Sequence, residues 1–384
     1  MGVPAVGLLL SAVLLLAACS PAGHQDTAPT ARAATSTRGA GPSGTADSGR
    51  ATPSTPPGSS PATTDSSAPT RPAGEFTISF AGDVHFAGRT AGRLSDPSTA
   101  FGPSAAVLRQ ADLTMVNLET SISVGGAPQP KSFTFQAPPS AFTALSDAGV
   151  DIATMANNHA ADYGSNGLAQ TLQAIQRSRF PVVGIGANAA AAYAPYRVTV
   201  NGLRVAILAA SQVQDETLAN FSATATSPGI ANAYSPQLIS AVRAARRSAD
   251  VVIVYVHWGT EYQSCPNPDQ QNLAAALDAA GADAVVGTHA HVLQGAGWRP
   301  DGSYVAYGLG NYFWWLSFQN NQDDNGVLTL SFLNRRVVAA RFAPSHLDAR
   351  GIGVPATGAQ RARILDEWNS LRGCTGLAAT PPAR

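Results

Sequence analysis

Cysteine is scarce in this sequence, charge is sparse, and neither sign of charge is concentrated anywhere. Among 384 residues there are three Cys, and 24 Lys and Arg balance 24 Asp and Glu to a net charge of zero. No basic cluster and no interleaving of aromatic with basic residues occurs, which argues against nucleic acid as a partner. The apolar run Val6 to Ala18 is short for a membrane span, and no Lys or Arg precedes it. Residues from Ser20 to Gly74 contain almost nothing apolar larger than Ala. Such a stretch cannot bury enough surface to offset its conformational entropy, so it is expected to be disordered.

What is present divides the chain in three. Residues 1–19 read as a secretory signal ending in Leu16-Ala17-Ala18-Cys19, which has the form of a bacterial lipobox whose Cys19 is lipidated. A plain signal peptide with an incidental Cys is the alternative. Residues 20–74 read as a Ser/Thr/Pro/Ala-rich tether, and 75–384 as one domain with a sizeable core. The expected location is the outer face of the cytoplasmic membrane, held by an N-terminal lipid anchor, or free secretion. With Cys19 lipidated, Cys265 and Cys374 remain as a pair in an oxidising compartment, and a disulfide between them is expected.

Within the domain, short apolar runs alternate with helical spacing. Strands are expected at Phe76–Ala81, Leu113–Asn117, Val150–Met155, Val182–Ile185, Val251–Val256, Ala284–Val286 and Tyr304–Tyr307. Helices are expected at Gly164–Ser178, Pro236–Ser248, Asp269–Ala280 and Gln360–Leu371. Asn201-Gly202 between Tyr196–Val200 and Arg204–Ala209 signals a hairpin, and Val327–Phe332 with Val337–Phe342 reads as another. Early βαβ order with late hairpins predicts an α/β fold of mixed sheets covered by helices.

Five polar clusters follow these strands, where open α/β sheets bind ligands. They are Gly82-Asp83-Val84-His85, Asn117-Leu118-Glu119, Asn157-Asn158-His159 with Asp162, His257-Trp258-Gly259, and Gly287-Thr288-His289-Ala290-His291. Asp-x-His at a strand end offers an oxygen and a nitrogen to one cation. His-x-His on an extended segment would face one way. Five of the seven His fall in these clusters; His24 and His346 lie elsewhere.

The order Asp-x-His, carboxylate, Asn-His, His, His-x-His resembles the signature of calcineurin-like metallophosphoesterases. The wording is closer still to the CapA (poly-γ-glutamate capsule biosynthesis, PGA_cap) family. The matching segments are GDVHFAGR at Gly82–Arg89, NLETSIS at Asn117–Ser123, ANNHAADYG at Ala156–Gly164, VHWGTEY at Val256–Tyr262, GTHAHVLQG at Gly287–Gly295 and YGLGNYFW at Tyr307–Trp314. That resemblance implies a four-layer αββα sandwich holding two divalent metals, Mn, Fe or Zn. Asp83, His85 and His291 would bind one, and Asn158, His257 and His289 the other, with Asp83 or Glu119 bridging. His85 stands where many family members carry an aliphatic residue or Met, and Glu119 where phosphoesterases bridge through Asp.

By the same resemblance His159 is the candidate general acid. Asp162 and Glu261 are read either as partners that orient His rings or as surface carboxylates capping a helix. Asn311 is read as a donor to substrate oxygen or as a turn residue, and Tyr312 to Trp315 as core, cleft wall or a stacking face. The implied role is a metal-dependent hydrolase or transferase acting on an envelope polymer such as poly-γ-glutamate, or on a small phosphorylated or amide substrate. The alternative is a non-catalytic factor that binds or exports such a polymer.

Overall fold

A computed structural model describes residues 72–318 and 320–383. The signal segment, Cys19 and nearly all of the tether lie outside the described residues.

Along the chain, β1 (Glu75–Val84) and β2 (Leu113–Leu118) precede α1 (Ser140–Ala148), β3 (Ile152–Thr154), α2 (Gly164–Ser178) and β4 (Val182–Val183). Then come β5 (Tyr196–Val200), β6 (Leu203–Ser211), α3 (Pro236–Arg246), β7 (Val251–Trp258), α4 (Pro268–Ala280) and β8 (Ala284–His289). The last third contributes β9 (Ala296–Trp298), β10 (Tyr304–Ala306), β11 (Asn311–Phe313), β12 (Asp324–Leu333), β13 (Arg336–Leu347), β14 (Gly353–Pro355) and α5 (Gly358–Ser370).

An eight-stranded sheet runs β14-β13-β12-β1-β2-β3-β4, with β11 also paired to β1. A six-stranded sheet runs β9-β10-β8-β7-β6-β5. In the first, β1, β2, β3 and β4 are parallel; in the second, β6, β7, β8 and β10 are. The sheets face each other across a core that packs Phe76, Ile78, Phe80 and Met115 against Val205, Ile207, Ile253 and Tyr255. The outer face of the first sheet buries Val116 and Ala153 against Phe142 and Leu145 of α1 and Leu168 of α2. The outer face of the second buries Leu208, Val252 and Val254 against Leu238 and Val242 of α3 and Leu273 and Leu277 of α4. The layers are therefore helix, sheet, sheet, helix, as expected of an α/β sandwich.

Local chemistry explains the elements. All of β7, Val-Val-Ile-Val-Tyr-Val-His-Trp, is buried, which fits a central parallel strand covered on both faces. Helix α4 opens with a capping box between Asn267 and Gln270, has Pro268 at its first turn, and ends at Gly281 in the left-handed region. Asn201 (φ 45°) and Gly202 (φ 84°) turn the β5–β6 hairpin. The run expected at Val182–Ile185 is broken instead, because Gly184 takes φ +81° and Ile185–Gly186 pairs with Gly229–Ile230.

Candidate metal centre

The carboxyl ends of β1, β2, β3, β7 and β8 converge, and β1, β7 and β8 run further than their apolar cores suggest. Asp83, His257 and His289 are thus strand residues rather than residues of following loops. Gly82 makes the convergence possible. A Cβ there would sit 1.8 Å from the Gly310 carbonyl oxygen, so only glycine lets the segment entering β11 lie against β1. That approach pairs Asp83 with Asn311.

Among the described residues, two groups of side chains could hold a metal ion: Asp83, Glu119 and His257, and Glu119, His289 and His291. Glu119 belongs to both. All are buried, Asp83 and Glu119 completely. The Glu119 carboxylate lies 3.7 Å from His257 Nε2 and 3.8 Å from His159 Nε2, both measured from Oε1. Asn117 is the hub beneath them: Nδ2 donates to Asp83 Oδ1 at 2.8 Å and to Glu119 Oε2 at 3.2 Å. Asn117 Oδ1 in turn accepts from Asn157 Nδ2 at 2.9 Å.

The imidazoles are aimed by neighbours. His257 Nε2 lies 2.8 Å from Asn158 Oδ1, and its Nδ1 lies 3.1 Å from Thr288 Oγ1. His291 Nδ1 lies 2.9 Å from Asn311 Oδ1 and 3.4 Å from Asp83 Oδ2. His159 Nδ1 lies 2.6 Å from Asp162 Oδ2. His289 and His291 have φ of 92° and 56°. The pair therefore converges through a strained left-handed turn rather than along an extended segment, and such strain concentrates at functional sites.

Other placements correct the sequence reading. His85 lies in neither group; its ring stacks on Phe135 and meets Trp314 edge-on, each at 4.2 Å, while both its nitrogens are buried and unpartnered. Asp162 is fully buried and so is no surface cap. Glu261 is exposed in the turn after β7, and the cap of the next helix is Asn267. Asn311 lies in a strand, not a turn, and fixes the His291 ring. Tyr312 and Phe313 are core, Trp314 lines the site, and Trp315 meets the exposed Phe133 edge-on at 5.6 Å. Sequence reasoning placed Asn117, Asn157 and Thr288 in the clusters without a role and passed over Lys131; all four make the contacts that aim the ligands. Asn117 had a signal, since it shares a strand end with Glu119; Lys131 had none. Cys265 and Cys374 form a disulfide.

The electrostatics suit a cation. Burial pushes Glu119 far above the usual carboxylate range, and Asp83 adds to it. Burial also pushes Asp83 up, but hydrogen bonds from His291 and Asn117, with the charges of the nearby imidazoles, outweigh it and hold the group low. Burial lowers His257 to about 3, His289 well below its usual value with the His257 charge adding to the effect, and His159 more modestly against Asp162. Neutral imidazoles are the form that binds metal. Glu119 Oε1, His289 Nδ1 and both ring nitrogens of His85 are buried without a hydrogen-bond partner, so each is available as a ligand atom. Imidazole and carboxylate donors without thiolate fit Mn, Fe or Zn.

Residues 77–314 match the family of bacterial capsule synthesis proteins designated PGA_cap. The chain belongs to that family. Relatives of this PGA_cap chain include the PGA biosynthesis protein CapA of Bacillus subtilis, 31% identical over 242 residues, or 62% of each protein. The capsule biosynthesis protein CapA of Bacillus anthracis is 34% identical over 200 residues, 49% of this chain and 48% of that one. The match thus spans less than two thirds of these relatives' length. Among solved structures, a novel phosphatase from Mycoplasma pneumoniae superposes with a TM-score of 0.45 and 15% identity, over 71% of this chain and 94% of that one.

Proposed function

We propose that this PGA_cap protein is an exported, lipid-anchored, metal-dependent hydrolase or transferase that acts on a cell-envelope polymer. The observation that carries the reading is the pair of ligand groups sharing Glu119, which would let two cations bind side by side. Asp83, Glu119 and His257 would hold one ion, and Glu119, His289 and His291 the other, with the Asn158 side chain beside His257. Divalent cations bound there supply Lewis acidity toward charge developing on a substrate oxygen.

This chain's own groups do the rest. With Nδ1–H given to Asp162, His159 presents Nε2, and burial keeps the ring neutral. Nε2 therefore takes up a proton first and delivers one only once charged, so it serves as acid after serving as base. Phe135 lies against His159 with ring centroids 4.5 Å apart and helps to exclude water. Support for the location comes from Leu16 to Cys19, and for the polymer from the names of the relatives.

The test is turnover by the metal-loaded protein on aryl phosphates and on poly-γ-glutamate, beside a His159→Ala variant. Turnover that falls by about 100-fold or more in His159→Ala supports the enzyme. Tight polymer binding with no turnover would replace it with a non-catalytic binding factor, a reading that the exposed rings of Phe133 and Tyr262 beside the site would suit.

A further inference from the structure

An irregular segment, residues 123–135, crosses the site between the short strands Ser121–Ile122 and Gln136–Ala137. It carries Phe133, exposed beside Trp315, and Phe135, buried against His85 and His159. Its one cation, Lys131, has a side chain only 8% exposed. A buried ammonium is costly unless partners surround it. Here Nζ lies 2.9 Å from Asp162 Oδ1 and 2.9 Å from Asp215 Oδ2. It also donates to the Asn158 carbonyl and, at 3.3 Å, to Thr217 Oγ1.

Two of those partners lead to the candidate centre. Asp162 holds His159 through its other oxygen, which also accepts the Phe135 N–H at 2.7 Å. The Asn158 carbonyl belongs to the residue whose side chain touches His257, and Thr217 Oγ1 donates to the same carbonyl at 2.6 Å. One ammonium thus ties together the carboxylate that aims His159, the backbone that aims Asn158, and the segment that carries the aromatic wall.

We propose that Lys131 is a positioning residue that fixes the Asp162–His159 pair and locks segment 123–135 against the candidate metal centre. A lysine that merely plugged a surface gap would be satisfied by Asp215 and solvent, and would not reach the Asn158 carbonyl. The inference rests on the proposed role of His159, and its test is read without turnover.

The measurement is the downfield proton resonance of the His159–Asp162 hydrogen bond in the full-length protein, assigned with His159→Ala. Amide exchange across residues 123–135 and metal content are read on the same samples. Lys131→Met is expected to fold, to lose the resonance through exchange with water, and to lose at least about tenfold in protection across the segment. Lys131→Arg, which keeps the charge, is expected to restore both. A Lys131→Met protein with resonance and protection unchanged overturns the proposal. Should Lys131→Met fail to fold, Asp215→Asn takes its place. Asn keeps the helix cap that Asp215 provides while losing the ion pair. Faster exchange of the resonance and segment then supports the role, and no change overturns it. Wild-type protein that binds no metal yet shows the resonance would sink the proposed function and leave the Lys131 role standing.

Discussion

Glu119 is the residue on which the site turns, because it is wholly buried, belongs to both ligand groups and has one oxygen without a partner. Replacing it with Gln removes a carboxylate whose charge burial disfavours. Glu119→Gln is therefore expected to melt no lower than wild type in metal-free buffer, yet to lose metal retention; calorimetry with and without added Mn or Zn checks both. Gly82→Ala is expected to cost about 1–3 kcal/mol or more, since the added methyl strikes the Gly310 carbonyl, which denaturant titration reads. Most of this site was legible at the residue scale because carboxylates and imidazoles at strand ends have a chemistry that announces itself. Lys131 was not legible, because its role exists only through Asp162 and Asp215, which lie far along the chain. His85 turns its ring between Phe135 and Trp314 and lies outside both groups, with its two nitrogens buried and unpartnered.

Among the elements, apolar period marked the strands and helices that carry a buried face. Helix α2 was legible to the residue, Gly164 to Ser178, because its apolar spacing stops at a left-handed Arg179. The site-bearing ends of β1, β7 and β8 were read short, since polar Asp83, His257 and His289 interrupt the apolar run while the ladder continues through them. Helix α1 escaped notice because its nine residues carry little beyond Ala, Ser and Thr around Phe142 and Leu145. At the C-terminal end, α5 is anchored to β12 by Arg363, which forks onto the buried Asp324 at 2.7 and 2.8 Å. Arg363→Ala is expected to destabilise by about 1–2 kcal/mol, with His346 still bonded to the stranded carboxylate. Beyond α5, Cys374 is bridged to Cys265 across 109 residues. Closing a loop of that length restricts the unfolded chain by up to about 4–5 kcal/mol, so reductant is expected to lower the melting temperature. An unchanged melt with both thiols titrated would contradict it.

For the molecule as a whole, burying so many imidazoles has a consequence in pH. His85, His159, His257 and His289 are all lowered by burial, so between about 6.5 and their folded values the unfolded chain binds more protons. Stability is then lost as pH falls through that window, which for His257 extends to about 3. Glu119 and Asp283, the latter raised by burial to about 6, work in the opposite sense and gain as pH falls, as do Asp151 and Asp278. The metal-free protein is expected to melt lower at pH 5 than at pH 7. Added metal should stabilise it at pH 7 and do so less at pH 5, since protons compete for the same nitrogens. A melting temperature that rises on acidification would contradict the burial of neutral imidazoles. Mixed sheets covered by helices could be foreseen from the order of elements, whereas the four-layer sandwich and a carboxylate shared between its strand ends came only from the family resemblance, because no local pattern encodes how the sheets face.

The most direct test of the dinuclear reading is metal content by mass spectrometry on the purified protein, after incubation with Mn, Fe or Zn and exhaustive dialysis. About two equivalents per chain are expected in wild type, falling sharply in Glu119→Gln because both ligand groups lose their shared member. No bound metal under any of the three conditions, or full retention in Glu119→Gln, would contradict a centre built on Glu119.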